Sequence, residues 1–154
     1  MLYFAYGSNM YTGRLRERVA SATPLLVAKL LNHSLRFHKR STDRSGKCDA
    51  WFTGEPTDIV WGVVFEISPG ERPRLDAYEG IGRGYVEKMA TVIDAAGNRH
   101  PVFLYAAQDS HIDPELRPYS WYKRFVVEGA RQHHLPENYI ASISAVSEIE
   151  GPKE

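Results

Sequence analysis

Eight residues near the start, Tyr3-Phe4-Ala5-Tyr6-Gly7-Ser8-Asn9-Met10, limit what this chain can fold into more than any other stretch. Residues 2–6 are rich in the aromatic types that favour strands. Gly7 then allows a sharp reversal, with positive φ open to it. Ser8 and Asn9 are good helix caps, and Met10, Leu15 and Val19 recur at the spacing of one buried helix face, so a helix is expected to begin at Asn9 or Met10. The first amides of such a helix have no internal partner. A strand running through a glycine turn into them aims several N–H groups at one spot, where a carboxylate or a developing oxyanion can be held. The same four residues, Tyr6 to Asn9, also read simply as a capped strand-to-helix turn.

The remainder supports one domain spanning residues 1–154. A chain of 154 residues, 43% hydrophobic and 25% charged, can bury a sizeable core. Nineteen basic residues balance nineteen acidic ones without a basic stripe to track a phosphate backbone, so nucleic acid is not an expected partner. No apolar run is long enough to span a bilayer, and the chain opens on a strand-like segment instead of a basic and then apolar leader. With Cys48 as the single cysteine, these features point to a reducing, cytoplasmic location.

Arg14, Arg16 and Arg18 fall on the polar side of the first expected helix, and Thr23-Pro24 interrupts it. Residues 25–31 read as a strand, and beyond Asn32-His33 the alternation of Leu35, Phe37 and Lys39 predicts a second strand folded back along it. Residues 41–47 are polar and turn-rich, the pattern of a mobile surface loop. Residues 59–67 form the most apolar strand, where Gly62 is expected to mark a bend or bulge. Ser68 and Glu71 have capping-box spacing for a helix with Leu75 and Tyr78 on its apolar side. Gly80 should close that helix at Glu79. Residues 85–93 and 101–107 pair across a turn at 94–98. Ser120 is placed to cap a helix to about His133 that buries Tyr122, Phe125, Val126, Gly129 and Ala130, and a last helix is expected from Pro136 or Glu137 to Gly151-Pro152. Strands first and helices last predict an α+β domain with a small curled sheet, antiparallel or mixed.

Glu79 carries the most informative charge. A carboxylate in the last helical turn opposes the helix dipole by roughly 0.3 to 1 kcal/mol, and Asp76 three residues earlier adds repulsion. Both effects raise its pKa, which suits a group that shuttles protons at neutral pH, although a solvent-facing glutamate at this position feels little of either. The glycines at 80, 82 and 84 have neither the spacing nor the strand-to-helix context of a dinucleotide loop. The six histidines show no zinc spacing, so neither metal nor other cofactor is expected. Cys48 lacks a cysteine-enzyme signature and reads as packing. Tyr85, Tyr105 and Tyr122 are candidates for lining a pocket or for half-buried core.

Taken together, YFAYGSNM at residues 3–10 and LDAYEGIGRGY at 75–85, about seventy residues apart, resemble the paired signatures of the γ-glutamylcyclotransferase-like family. The closing stretch Tyr122-Lys-Arg-Phe-Val-Val-Glu-Gly-Ala-Arg before Leu135-Pro136 and Tyr139 is similar too, so the resemblance runs through most of the chain. It implies a small curled mixed β-barrel with flanking helices. It also implies that amides of the Tyr6, Gly7, Ser8, Asn9 loop hold a γ-glutamyl group, that Glu79 is the catalytic glutamate, and that Tyr85, Tyr122 and either Tyr105 or Phe103 line the pocket. The implied reaction turns a γ-glutamyl compound into 5-oxoproline and a free amine or amino acid without a cofactor. Two alternatives stand beside it: a transferase that removes a γ-glutamyl protecting group from a biosynthetic intermediate, and a binding module without turnover. The chain departs from the family pattern at residues 41–54, where the leaving group is expected, and a homodimer stays open.

Overall fold

The structure, a computed structural model, describes residues 1–152. Five strands close into a barrel in the order β1 (Leu2–Ala5), β5 (Ile59–Glu66), β2 (Thr23–Leu31), β6 (Tyr85–Asp94) and β7 (Arg99–Ala107). Neighbours are antiparallel except where β7 meets β1, whose parallel contact through Tyr3 and Phe103 completes the ring. The barrel is therefore mixed, as expected. The turn between β6 and β7 forms because the Asp94 carboxylate accepts hydrogen bonds from the amides of Ala96 and Asn98, both at 2.9 Å. Gly62 is not a bulge. It pairs in register with Ala28, and a Cβ there would lie 2.5 Å from the Ala5 carbonyl oxygen, so glycine is required where β1 packs closely against β5. The register shift falls instead at Pro24/Leu26, where proline withholds its ladder donor.

The second expected hairpin is corrected. β3 (His33–Arg40) does not fold back on β2; it pairs with β4 (Gly46–Phe52) as a separate two-stranded sheet. Of the expected loop at 41–47, residues 41–45 are the turn between β3 and β4, while Gly46 and Lys47 belong to β4; Ser45 is buried, and the Gly46 amide donates to the Arg117 carbonyl. Buried Asp49 ties this sheet to the barrel, accepting from the Ala107 amide at 2.9 Å and meeting His38 Nε2 at 2.7 Å.

Four helices flank the barrel, α1 (Thr12–Arg18), α2 (Arg72–Glu79), α3 (Ser120–Gln132) and α4 (Glu137–Ser144). The first begins later than expected, after a 3-10 turn at Ser8–Met10, while Met10, Leu15 and Val19 are fully buried as the spacing required. Arg14 is not on a polar side. It is buried, with its guanidinium over the Phe125 ring. No capping box forms before α2, since the Glu71 carboxylate reaches back to accept from the amides of Ala20 and Ser21. Tyr78 stands exposed, leaving Leu75 as the buried residue of α2. Tyr119, not Ser120, occupies the cap position of α3. α4 stops at Ser144 because Lys123 Nζ takes the carbonyls of Ser144 and Val146, and the chain beyond returns to bridge Tyr119 through Ile149.

Candidate functional site

At one end of the barrel, β1 runs into the Ser8–Met10 turn and faces the end of α2. The turn starts at Gly7 with φ −113°, so glycine is needed for room and not for a left-handed backbone: a Cβ would sit 3.1 Å from Cys48 Cβ. Its first amides have no i→i+3 acceptor within the turn, and the first internal bond is donated by Met10 to the Gly7 carbonyl. Across the pocket, Gly80 adopts φ 69°, ψ 49°; its amide donates to Ala77 and that of Ile81 to Asp76. This paired closure fixes where α2 ends and therefore where Glu79 points. Asn9 joins the two sides. Its amide nitrogen donates to the Glu79 carboxylate at 2.5 Å and to the Tyr3 hydroxyl at 3.1 Å, while its oxygen accepts from Arg18 at 2.8 Å.

Tyr6, Gly7, Ser8, Asn9, Glu79, Tyr85, Tyr105 and Tyr122 all line this pocket. Several hydroxyls are engaged in holding its walls. Tyr6 donates to the Tyr105 carbonyl, Tyr85 to the Cys48 carbonyl at 2.6 Å, and Tyr105 to Asp76 at 2.5 Å. The choice between Tyr105 and Phe103 is resolved as neighbours on one side of β7: Tyr105 lines the pocket, whereas Phe103 stacks on Tyr3 with ring centroids 5.3 Å apart. The inner space is narrow, about 30 Å³. It widens into a cleft of about 380 Å³ that shares Ser8, Glu79, Tyr85 and Tyr122.

The Glu79 pKa is raised above the ordinary 4.5, but not for the reasons expected from sequence. Burial of the carboxyl pushes it up, although part of the residue stays exposed; Arg18, the Asn9 hydrogen bond, Lys39 and Arg14 pull it back incompletely. Asp76 is not among the causes, because it is turned to Arg72 Nε at 2.8 Å and to Tyr105.

Residues 59–143 match the model of the AIG2-like family. γ-Glutamylcyclotransferases of Bos taurus and Homo sapiens are each 32% identical to this chain, over 94% of it and 78% of their own length. The chain belongs to this family. A solved structure of a γ-glutamyl cyclotransferase superposes with a TM-score of 0.89 at 28% identity, covering 99% of this chain and 91% of the other.

In this AIG2-like chain the pocket also contains Tyr3 and Cys48, neither of which the sequence placed in it. Tyr3 lies inside a strand, and what brings it to the pocket is its pairing with Phe103 across the β1–β7 seam, which no local pattern shows. Cys48 was read as packing. It does line the pocket, yet burial pushes its thiol up to about 12, against pulls from Tyr122 and Lys47, so it is not a thiolate at neutral pH. Among the described residues no group of three His, Cys, Asp or Glu is arranged to hold a metal, and no helix is long and apolar enough to cross a membrane.

Proposed function

We propose that this AIG2-like protein is a γ-glutamylcyclotransferase whose base is Glu79. The free α-amine of a γ-glutamyl compound attacks its own γ-carbonyl carbon. A ring C–N bond forms, the C–N bond to the leaving group breaks, and 5-oxoproline departs with an amine or amino acid. The α-nitrogen gives up two protons on the way from ammonium to ring amide, and the leaving nitrogen gains two on the way from amide to ammonium. One carboxyl relaying them leaves no net proton, and a raised pKa suits it to both directions. The amides that open the Ser8–Met10 turn are suitable donors for the negative oxygen of the tetrahedral intermediate. The tyrosine walls suit the orientation task, since amine and carbonyl of one molecule must meet.

The observation that carries this reading is the Glu79 carboxyl held 2.5 Å from Asn9, facing the amide turn within one pocket. Every named residue comes from one chain, so a homodimer is not required for these steps. The free, buried Cys48 accords with a reducing compartment, and a cytoplasmic location is part of the proposal.

The test is a panel of γ-glutamyl amino acids, γ-glutamyl amines and glutathione, each with its N-acetyl counterpart, assayed for 5-oxoproline. Unblocked substrates should yield it and blocked ones should be inert. Release of N-acetylglutamate from the blocked compounds and of glutamate from the unblocked ones means that water is the nucleophile and refutes the mechanism.

A further inference from the structure

The cleft outside the inner pocket is lined by four cations, Arg14, Arg18, Lys39 and Lys47, against two carboxylates, Asp43 and Glu79. Lys47 meets Asp43 at 3.7 Å and lies over the Tyr122 and Trp121 rings, whereas Lys39 sits where stability alone does not put it. Lys39 of β3 and Lys47 of β4 are direct cross-strand partners. Such partners in an antiparallel pair share a face with Cβ atoms about 5 Å apart, where like charges repel. Lys39 is only 8% exposed, and burial lowers its pKa against the pull of Glu79 and Asp43. Its Nζ makes no hydrogen bond or ion pair among the described residues and lies 4.5 Å from the centre of the Tyr85 ring. A buried ammonium is ordinarily paired, because leaving water is costly. Here the charge faces the cleft that adjoins Glu79 and is placed to meet an anion arriving from outside.

We propose that this cleft is the leaving-group subsite and that Lys39, with Lys47 opposite, binds an acid group of the leaving amine, so that γ-glutamyl derivatives of acidic amino acids are the favoured substrates. The proposal rests on the cyclotransferase reading above. A carbonyl held in the inner pocket releases its amine past Glu79, one of the four residues shared with the cleft. An acidic amino acid brings two carboxylates to a wall with two more cations than carboxylates, a neutral amino acid brings one, and a simple amine none.

Turnover of γ-glutamyl-glutamate, γ-glutamyl-alanine and γ-glutamyl-ethylamide by the parent protein, Lys39→Met and Lys39→Arg tests this. In the parent, kcat/KM should fall in that order. Lys39→Met should cut the ratio of first to last by roughly tenfold, the worth of one charge-assisted contact, while Lys39→Arg keeps it. The ratio cancels any effect of the lysine on Glu79 that all three substrates share. If Lys39→Met does not fold, Lys47→Met on the opposing strand carries the same expectation. Equal kcat/KM for the three substrates, or a ladder unchanged by loss of the lysine charge, overturns the subsite and leaves the cyclotransferase reading standing. No 5-oxoproline from any of them overturns that reading instead. Calorimetry on Glu79→Gln then decides the subsite: tighter binding of γ-glutamyl-glutamate, weakened by Lys39→Met, supports it, and equal Kd values refute it.

Discussion

Asn9 sits where the charges of the site meet. Its amide oxygen accepts from Arg18, and its nitrogen, thereby oriented, has donors for both Glu79 and Tyr3. The hydrogen bond to Glu79 and the cations around it favour the ionised carboxylate, yet burial outweighs them and the net shift is upward. In the proposed mechanism the base form is the one that reacts. The acid limb of kcat/KM against pH should therefore rise through an apparent pKa above 4.5, set by Glu79 in the free enzyme. A limb at or below 4.5 in the pH–rate profile contradicts the assignment.

At the scale of elements, the site depends on how closely α3 approaches the Ser8–Met10 turn. Gly129 is the contact: a Cβ there would fall 2.6 Å from the Tyr11 nitrogen and 2.8 Å from the Met10 carbonyl carbon, both backbone atoms that cannot rotate away. Gly129→Ala should cost about 1 to 3 kcal/mol through overpacking, lowering Tm by roughly 2 to 12 °C. Because the strain falls on the turn whose amides are proposed to hold the substrate, kcat should drop as well. Calorimetry and single-turnover rates on folded protein check both, and a variant matching its parent in each shows that the contact yields easily. Helix and turn signals of this local kind were legible in the sequence. Gly80 ended α2 as expected, and the β6–β7 turn formed where Asp94 stands. What failed was decided at long range. Residues 41–45 do turn, as their composition announces, but Gly46 and Lys47 pair with β3; Glu71 has capping-box spacing, but finds amides some fifty residues away. Asp76 lies near Glu79 in sequence, but Arg72 and Tyr105 claim it.

In the whole molecule, the two motifs that carried the family resemblance meet in one pocket because the barrel closes β1 against β7 and places α2 across its end. The eight residues that the resemblance picked out were legible for that reason, whereas Cys48 and the paired lysines reach the site on a sheet whose pairing no local pattern announces. On the proposed mechanism, stability and catalysis make opposite demands on Glu79. Its raised folded pKa means the native state favours the neutral form, so its ionisation costs stability above that pKa and the cost is relieved as pH falls through it. Glu79→Gln removes the charge and retains an oxygen to accept from Asn9. The most direct measurement takes melting temperature and single-turnover rate of Glu79→Gln on one preparation at neutral pH. A Tm equal to or above the parent's, with the rate down about 10² to 10⁴-fold, is the predicted result. A folded variant with near-parental rate, or a loss of activity that only tracks a lowered Tm, contradicts the role given to Glu79.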